Sequence, residues 1–85
     1  MKYIVSKSDE GGREKVTIFD ESVQHIHMVR GLEFPILVSA GFIGYDDCLD
    51  DDFKIYCYGE SGTLHISSRG KQDTELCKQR LLIGW

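Results

Sequence analysis

The sequence predicts an α+β fold, a mostly antiparallel sheet of about five strands with two helices on one face, in the order β-β-α-β-β-β-α. Three observations lead there. Short runs at residues 2–6, 15–19, 53–58 and 63–67 alternate apolar and polar side chains, the period of two expected of half-buried strands. One longer run, Ile36 to Tyr45, is almost continuously apolar, which marks a central strand covered on both faces. Segments 20–31 and 73–84 carry helix-type spacing between start and stop residues.

At the N-terminus Tyr3 and Val5 face one way and Lys2, Ile4 and Ser6 the other. The polar stretch that follows contains Gly11-Gly12, a turn signal, and from Lys15 to Phe19 Val16 and Ile18 alternate with Thr17 and Phe19. A hairpin with a long charged loop is expected. Asp20, Glu21 and Ser22 supply a helix start, and Arg30 and Gly31 a basic last turn and a stop. At about 100° per residue, Val23, Ile26 and Val29 share the arc that faces the sheet, leaving Met28 exposed on the side of His25.

Pro35 opens the central strand, and Gly41 and Gly44 mark a bulge or a close backbone approach, so a bend is expected at those glycines. Next, Phe53, Ile55 and Cys57 alternate with Lys54, Tyr56 and Tyr58; residues 59–62 form a turn; and Leu64 and Ile66 alternate with Thr63, His65 and Ser67, giving a second hairpin. Asp73, reinforced by Glu75, caps the last helix, whose apolar face is Leu76, Cys77, Leu81 and Ile83. Arg80 projects from the middle of that face and Gly84 ends the helix. Two helices of about ten residues span only ~15 Å each, too little to cover both faces. A homodimer or a partner surface containing residues such as Leu37 and Tyr56 is therefore expected on the second face.

Eighty-five residues make one domain, 1–85, and 41% hydrophobic content with a single proline fits an ordered globule. No signal-peptide pattern and no bilayer-length apolar run is present, so a soluble protein of the cytoplasm is expected. The three cysteines, Cys48, Cys57 and Cys77, are widely spaced and odd in number, as reduced thiols are. The net charge of −4 is local, because five of the fourteen acids fall in residues 46–52, where there is no base. Without a basic surface, direct binding to nucleic acid or to anionic lipid is disfavoured.

Asp46, Asp47, Asp50, Asp51 and Asp52 are the leading candidate site. They do not fit a calcium loop: counted from Asp46 or Asp47, the sixth position is Asp51 or Asp52 rather than glycine, and the twelfth is Cys57 or Tyr58 rather than glutamate. His25-x-His27 diverges around a helix by about 200° and cannot chelate one ion, and no zinc-type spacing accompanies it. Ser61 and His65 lack the surroundings of a catalytic nucleophile, and the GESGT turn lacks the lysine of a phosphate-binding loop. Neither cofactor nor metal is expected. Ser68, Arg69 and Lys71 precede the last helix and suit an anion at its N-terminus.

Tyr58-Gly59-Glu60-Ser61, followed by Leu64, Ser67-Ser68-Arg69 and Asp73, and joined by Ala40-Gly41-Phe42, resembles a pattern in small uncharacterised proteins of phages and bacterial mobile elements. The resemblance covers roughly the C-terminal half and transfers no catalytic residue. It implies a setting in which short acidic proteins bind and block host complexes, as anti-CRISPR proteins do.

These observations converge on a non-catalytic protein-binding module that engages a basic, nucleic-acid-binding protein surface. The five aspartates attract that surface, and Tyr45, Tyr56 and Tyr58 anchor it. The competing expectation is a small enzyme or anion-binding domain that gathers His65, Arg69, Lys71 and Arg80 into one pocket.

Overall fold

Alternation in the first strand sets the layout, because it sends aromatic and aliphatic side chains to both sides of the sheet. The computed structural model describes residues 1–8, 12–32, 36–45 and 55–82. Strand β1 (Lys2–Lys7) pairs antiparallel with β2 (Glu14–Phe19) on one side and with β3 (Ile36–Tyr45) on the other. Strand β4 (Ile55–Tyr58) adds to the far edge of β3, giving the order β2-β1-β3-β4. β5 (Glu60–Ser61) and β6 (Ile66–Ser67) form a separate two-stranded ribbon. Helix α1 spans His25–Val29 and α2 spans Lys71–Leu82. The fold is thus the expected α+β arrangement around a mostly antiparallel sheet.

The helices do not share a face. Leu76, Cys77 and Leu81 of α2 pack with Tyr3, Val5, Val16, Ile43, Ile55 and Cys57. Val23, the α1 residues Met28 and Val29, and the ribbon residues Leu64 and Ile66 pack on the other side with Ile4, Phe19 and Ala40. Tyr3, Ile4 and Val5 are each 0% exposed, so β1 is covered on both faces and is not the half-exposed strand that its alternation implied. Placing α1 and the ribbon opposite α2 resolves the coverage problem, since two short layers now shield two faces. Leu37 packs on the Ile4 cluster; Tyr56 stays exposed.

The bend in β3 comes earlier than its glycines. Val5 pairs with Ser39 and Ser6 with Leu37, so Val38 is the extra residue of a bulge. The bulge lets Val38 join the α2 side while Leu37 keeps to the other. Gly41 and Gly44 instead mark close approaches. A Cβ on Gly41 would lie 2.5 Å from the Tyr58 carbonyl oxygen, and one on Gly44 would lie 2.4 Å from Tyr56 Cζ.

Two further boundaries differ from expectation. Gly59, at φ 80°, ends β4, and the hairpin turn lies at 62–65 rather than 59–62. Ser61 holds that turn through its carbonyl, which accepts from His65 N at 2.9 Å, and its Oγ, which accepts from Leu64 N at 3.2 Å. Helix α1 is rotated relative to the expected arc: His25 is 4% exposed and Ile26 is 47% exposed. Only five residues are helical, so Val23 lies outside the helix and no longer sets the register. Met28 packs inward and is not the exposed contact expected of it.

Candidate functional site

The side of the sheet that carries α2 is held by a buried polar network. α2 begins at Lys71, so Asp73 lies in its first turn rather than capping it. Asp73 reaches back to accept from Arg69 N at 2.9 Å and from Arg69 Nε at 2.8 Å. Tyr3 Oη lies 2.6 Å from Asp73 Oδ2 and 2.6 Å from Ser68 Oγ. Tyr3 has one proton, which goes to the carboxylate, so the contact to Ser68 uses the serine proton. Burial alone would raise the Asp73 carboxyl; the Tyr3 hydroxyl and the Arg69 donors outweigh it and hold the group below the usual carboxylate range. Burial, then the hydrogen bond to Asp73, pushes the Tyr3 phenol far up.

Arg69 closes the network onto β2. Its Nη1 and Nη2 each donate to Glu14 at 3.0 Å, a bidentate pair. All three guanidinium nitrogens therefore hold carboxylates, Glu14 first and then Asp73, and the arginine stays protonated. The residues of the competing expectation are not brought together. Arg80 lines a shallow groove with Glu14, Lys15 and Val16 that includes none of His65, Arg69 and Lys71. His65 sits exposed in the ribbon turn at φ 57°, and Lys71 is exposed at the start of α2. Of the residues in the phage-type pattern, Ser68, Arg69 and Asp73 belong to this framework, whereas Phe42 and Tyr58 lie in an aromatic row on the other side.

The opposite side carries an aromatic row. The rings of Phe19 and His25 meet edge-on at 5.3 Å, and those of His25 and Phe42 at 5.8 Å. Phe42 continues to Tyr58 at 5.8 Å, and Tyr58 to Tyr56 at 5.4 Å. Strand register explains the line, since Phe42 pairs with Tyr58 and Gly44 with Tyr56, all on one side of the β3–β4 pair. Gly44 has no side chain, so the Tyr56 ring lies across the β3 backbone.

The row runs from closed to open. His25 is buried, with Nε2 donating to Gly41 O at 3.0 Å, and burial lowers its pKa, leaving a neutral imidazole. Tyr56 and Tyr58 at the β4 end are 48% and 49% exposed. Neither hydroxyl makes a hydrogen bond among the described residues. Beside Phe42 lies a cleft of about 240 Å³ bordered by Lys2, His25, Glu60 and Thr63. Lys2 Nζ is tied to Val23 O at 3.0 Å, whereas Glu60 has no ion pair among the described residues.

Of the residues singled out from sequence, Tyr56 and Tyr58 thus share one exposed surface. Tyr45 ends β3 opposite Ile55. Asp46, Asp47, Asp50, Asp51 and Asp52 lie outside the described residues. Sequence reasoning missed the half-buried Phe42 and the buried His25 as the root of the tyrosine pair. The signal was available in the order of residues: Phe42 and Gly44 alternate along β3 as Tyr56 and Tyr58 do along β4. Among the described residues no cluster of His, Cys, Asp and Glu could hold a metal ion, and no helix is long and apolar enough to cross a membrane. Comparison with family models, with curated proteins and with solved structures finds no match for this chain.

Proposed function

We propose that this chain is a non-catalytic protein-binding module whose contact surface is the Tyr56–Tyr58 ledge and whose partner presents a basic surface. The observation that carries this reading is the stacked, half-exposed tyrosine pair rooted on Phe42. Tyrosines placed this way contribute contact area at little entropic cost and are common energetic anchors of interfaces. Their ring faces attract arginine and lysine cations, and Glu60, which has no ion pair among the described residues, adds a carboxylate nearby.

The aspartates strengthen the reading through chain connectivity. Residues 46–54, whose sequence contains the five aspartates, connect Tyr45 to Ile55; those two residues are directly paired, and Ile55 immediately precedes Tyr56. In this account the aspartates steer a cationic partner and the tyrosines retain it. Together with the phage-type pattern, the reading extends to an inhibitor that occupies the nucleic-acid-binding surface of a host complex. A homodimer is the other occupant that would cover the same tyrosines. A pocket of His65, Arg69, Lys71 and Arg80 has less support, because Arg69 is already committed to Glu14 and Asp73.

The test is a titration with an arginine- and lysine-rich peptide at low and at physiological salt, repeated for Tyr56→Ala/Tyr58→Ala and for the variant with all five aspartates changed to Asn. Binding that weakens steeply with salt in wild type, loses its salt dependence in the Asn variant and disappears in the alanine variant supports the module. Equal binding by all three proteins discards it.

A further inference from the structure

Strand β4 and helix α2 meet through two thiols. Cys57 Sγ and Cys77 Sγ lie 3.4 Å apart, twenty residues apart in sequence. Both are free and buried. The contact is positioned rather than incidental: Thr74 Oγ1, one turn before Cys77, accepts from Cys57 N at 2.8 Å and itself donates to Gly70 O at 2.9 Å. The strand edge and the helix are therefore already docked at this point. Forming a bond requires the sulfurs to close by about 1.4 Å to the disulfide length, a movement within reach of side-chain rotation.

We propose that Cys57 and Cys77 are an oxidative modification site, which a hydroperoxide converts to an intramolecular disulfide linking β4 to α2. Cys57 is the attacking thiol. It is 6% exposed where Cys77 is 0% exposed, and the shared hydrogen bond with Cys77 holds its thiol below the usual range while the Cys77 thiol is pushed up. The Cys57 thiolate attacks one peroxide oxygen and breaks the O–O bond. This gives a sulfenic acid and releases the other oxygen as an alcohol, or as water when the oxidant is hydrogen peroxide. The Cys77 sulfur then attacks the Cys57 sulfur, and the hydroxyl leaves as water with the Cys77 proton. Two thiols lose two electrons and two protons, and one peroxide is reduced.

The bond would have a definite structural consequence. It closes a loop containing β5, β6 and the first turns of α2, and it fixes the helix to the strand that carries Tyr56 and Tyr58. Such a link removes freedom from the unfolded chain, so the oxidised protein melts at a higher temperature.

The experiment uses full-length Cys48→Ser, which removes the third thiol. The folded protein is treated with hydrogen peroxide, unfolded in the presence of an alkylating agent and weighed by intact-mass spectrometry, with a thermal melt before and after adding reductant. The proposal expects loss of two hydrogens, no alkylated cysteine, a peptide joining Cys57 to Cys77, and a melting temperature that rises and then reverts on reduction. Two alkylated thiols at full oxidation time, addition of oxygen without a cross-link, or links only between molecules would overturn it. Wild type treated in parallel should retain one alkylatable thiol, Cys48; retention of three counts against the proposal equally.

Discussion

The two sides of the sheet use the same kinds of residue for opposite ends. On the α2 side a tyrosine, Tyr3, is fully buried, and its hydroxyl is spent on Asp73. On the other side two tyrosines, Tyr56 and Tyr58, are half-exposed, and their hydroxyls make no hydrogen bond among the described residues. The glycines differ likewise. Gly41 makes room for backbone, the Tyr58 carbonyl, whereas Gly44 makes room for the movable ring of Tyr56. One side is framework, where Tyr3, Ser68, Arg69, Asp73 and Glu14 answer one another; the other is a surface whose tyrosine hydroxyls have no hydrogen bond among the described residues. The contrast separates residues whose loss should destabilise the fold from residues whose loss should leave it folded and test the proposed contact surface alone.

The largest expected effect of breaking the framework is at its centre. Asp73→Ala leaves the Tyr3 hydroxyl buried without its acceptor and frees Arg69 Nε, at a cost of about 3 kcal/mol in urea unfolding. Tyr3→Phe removes one short hydrogen bond from a buried carboxylate and should cost about 1–3 kcal/mol. Gly41→Ala forces backbone apart between β3 and β4 and should fall in the same range of about 1–3 kcal/mol. A loss below about 0.5 kcal/mol for all three would erase the contrast between the sides.

Acid should sharpen it. His25 has a lowered pKa in the folded protein, so the stability it contributes is present above the ordinary histidine value of about 6.5 and is lost as pH falls through the folded value. Asp73 is lowered likewise, so its contribution is present above about pH 4 and is lost on further acidification. Urea midpoints should therefore fall in two stages, and His25→Gln should remove the first alone. A flat profile down to pH 5 would contradict the buried neutral imidazole.

Smaller effects on stability are expected of the ledge. Tyr56→Ala/Tyr58→Ala should change unfolding by no more than about 1 kcal/mol while reducing affinity for a basic peptide by at least about tenfold. Gly44→Ala should displace the Tyr56 ring, lowering affinity with little change in the urea midpoint. Glu14→Gln, which weakens a partly exposed ion pair, should cost about 0.5 kcal/mol and leave peptide binding alone.

What could be read in advance followed the range of the forces involved. Alternation and helical spacing are local, and they located β1, β2 and the Leu76, Cys77 and Leu81 face of α2. The framework could not be read so directly, because its bonds join residues 70 apart for Tyr3 and Asp73 and 55 apart for Arg69 and Glu14. A buried tyrosine on an apolar strand face does require a hydroxyl partner, and Asp73 stands on the inward side of its helix, so the pair had a signature that pattern reading overlooked. His25 misled the reading of α1 because a histidine counts as polar by pattern. Here the ring is packed between Phe19 and Phe42 with a backbone acceptor, and burial of that ring rotates the helix. The ribbon was misplaced by one turn because a glycine at 59 and another at 62 both fit a hairpin, and the hydrogen bonds of Ser61 decide between them.

The contrast between the sides is tested most directly by following the side-chain resonances of the tyrosines in solution while an arginine- and lysine-rich peptide is added. The account predicts that the Tyr56 and Tyr58 ring signals move saturably and together, that Tyr3 on the far side stays fixed, and that raising the salt reverses the movement. Signals at Tyr56 and Tyr58 that stay in place while the peptide binds, or a response centred on Tyr3 and α2, would contradict it.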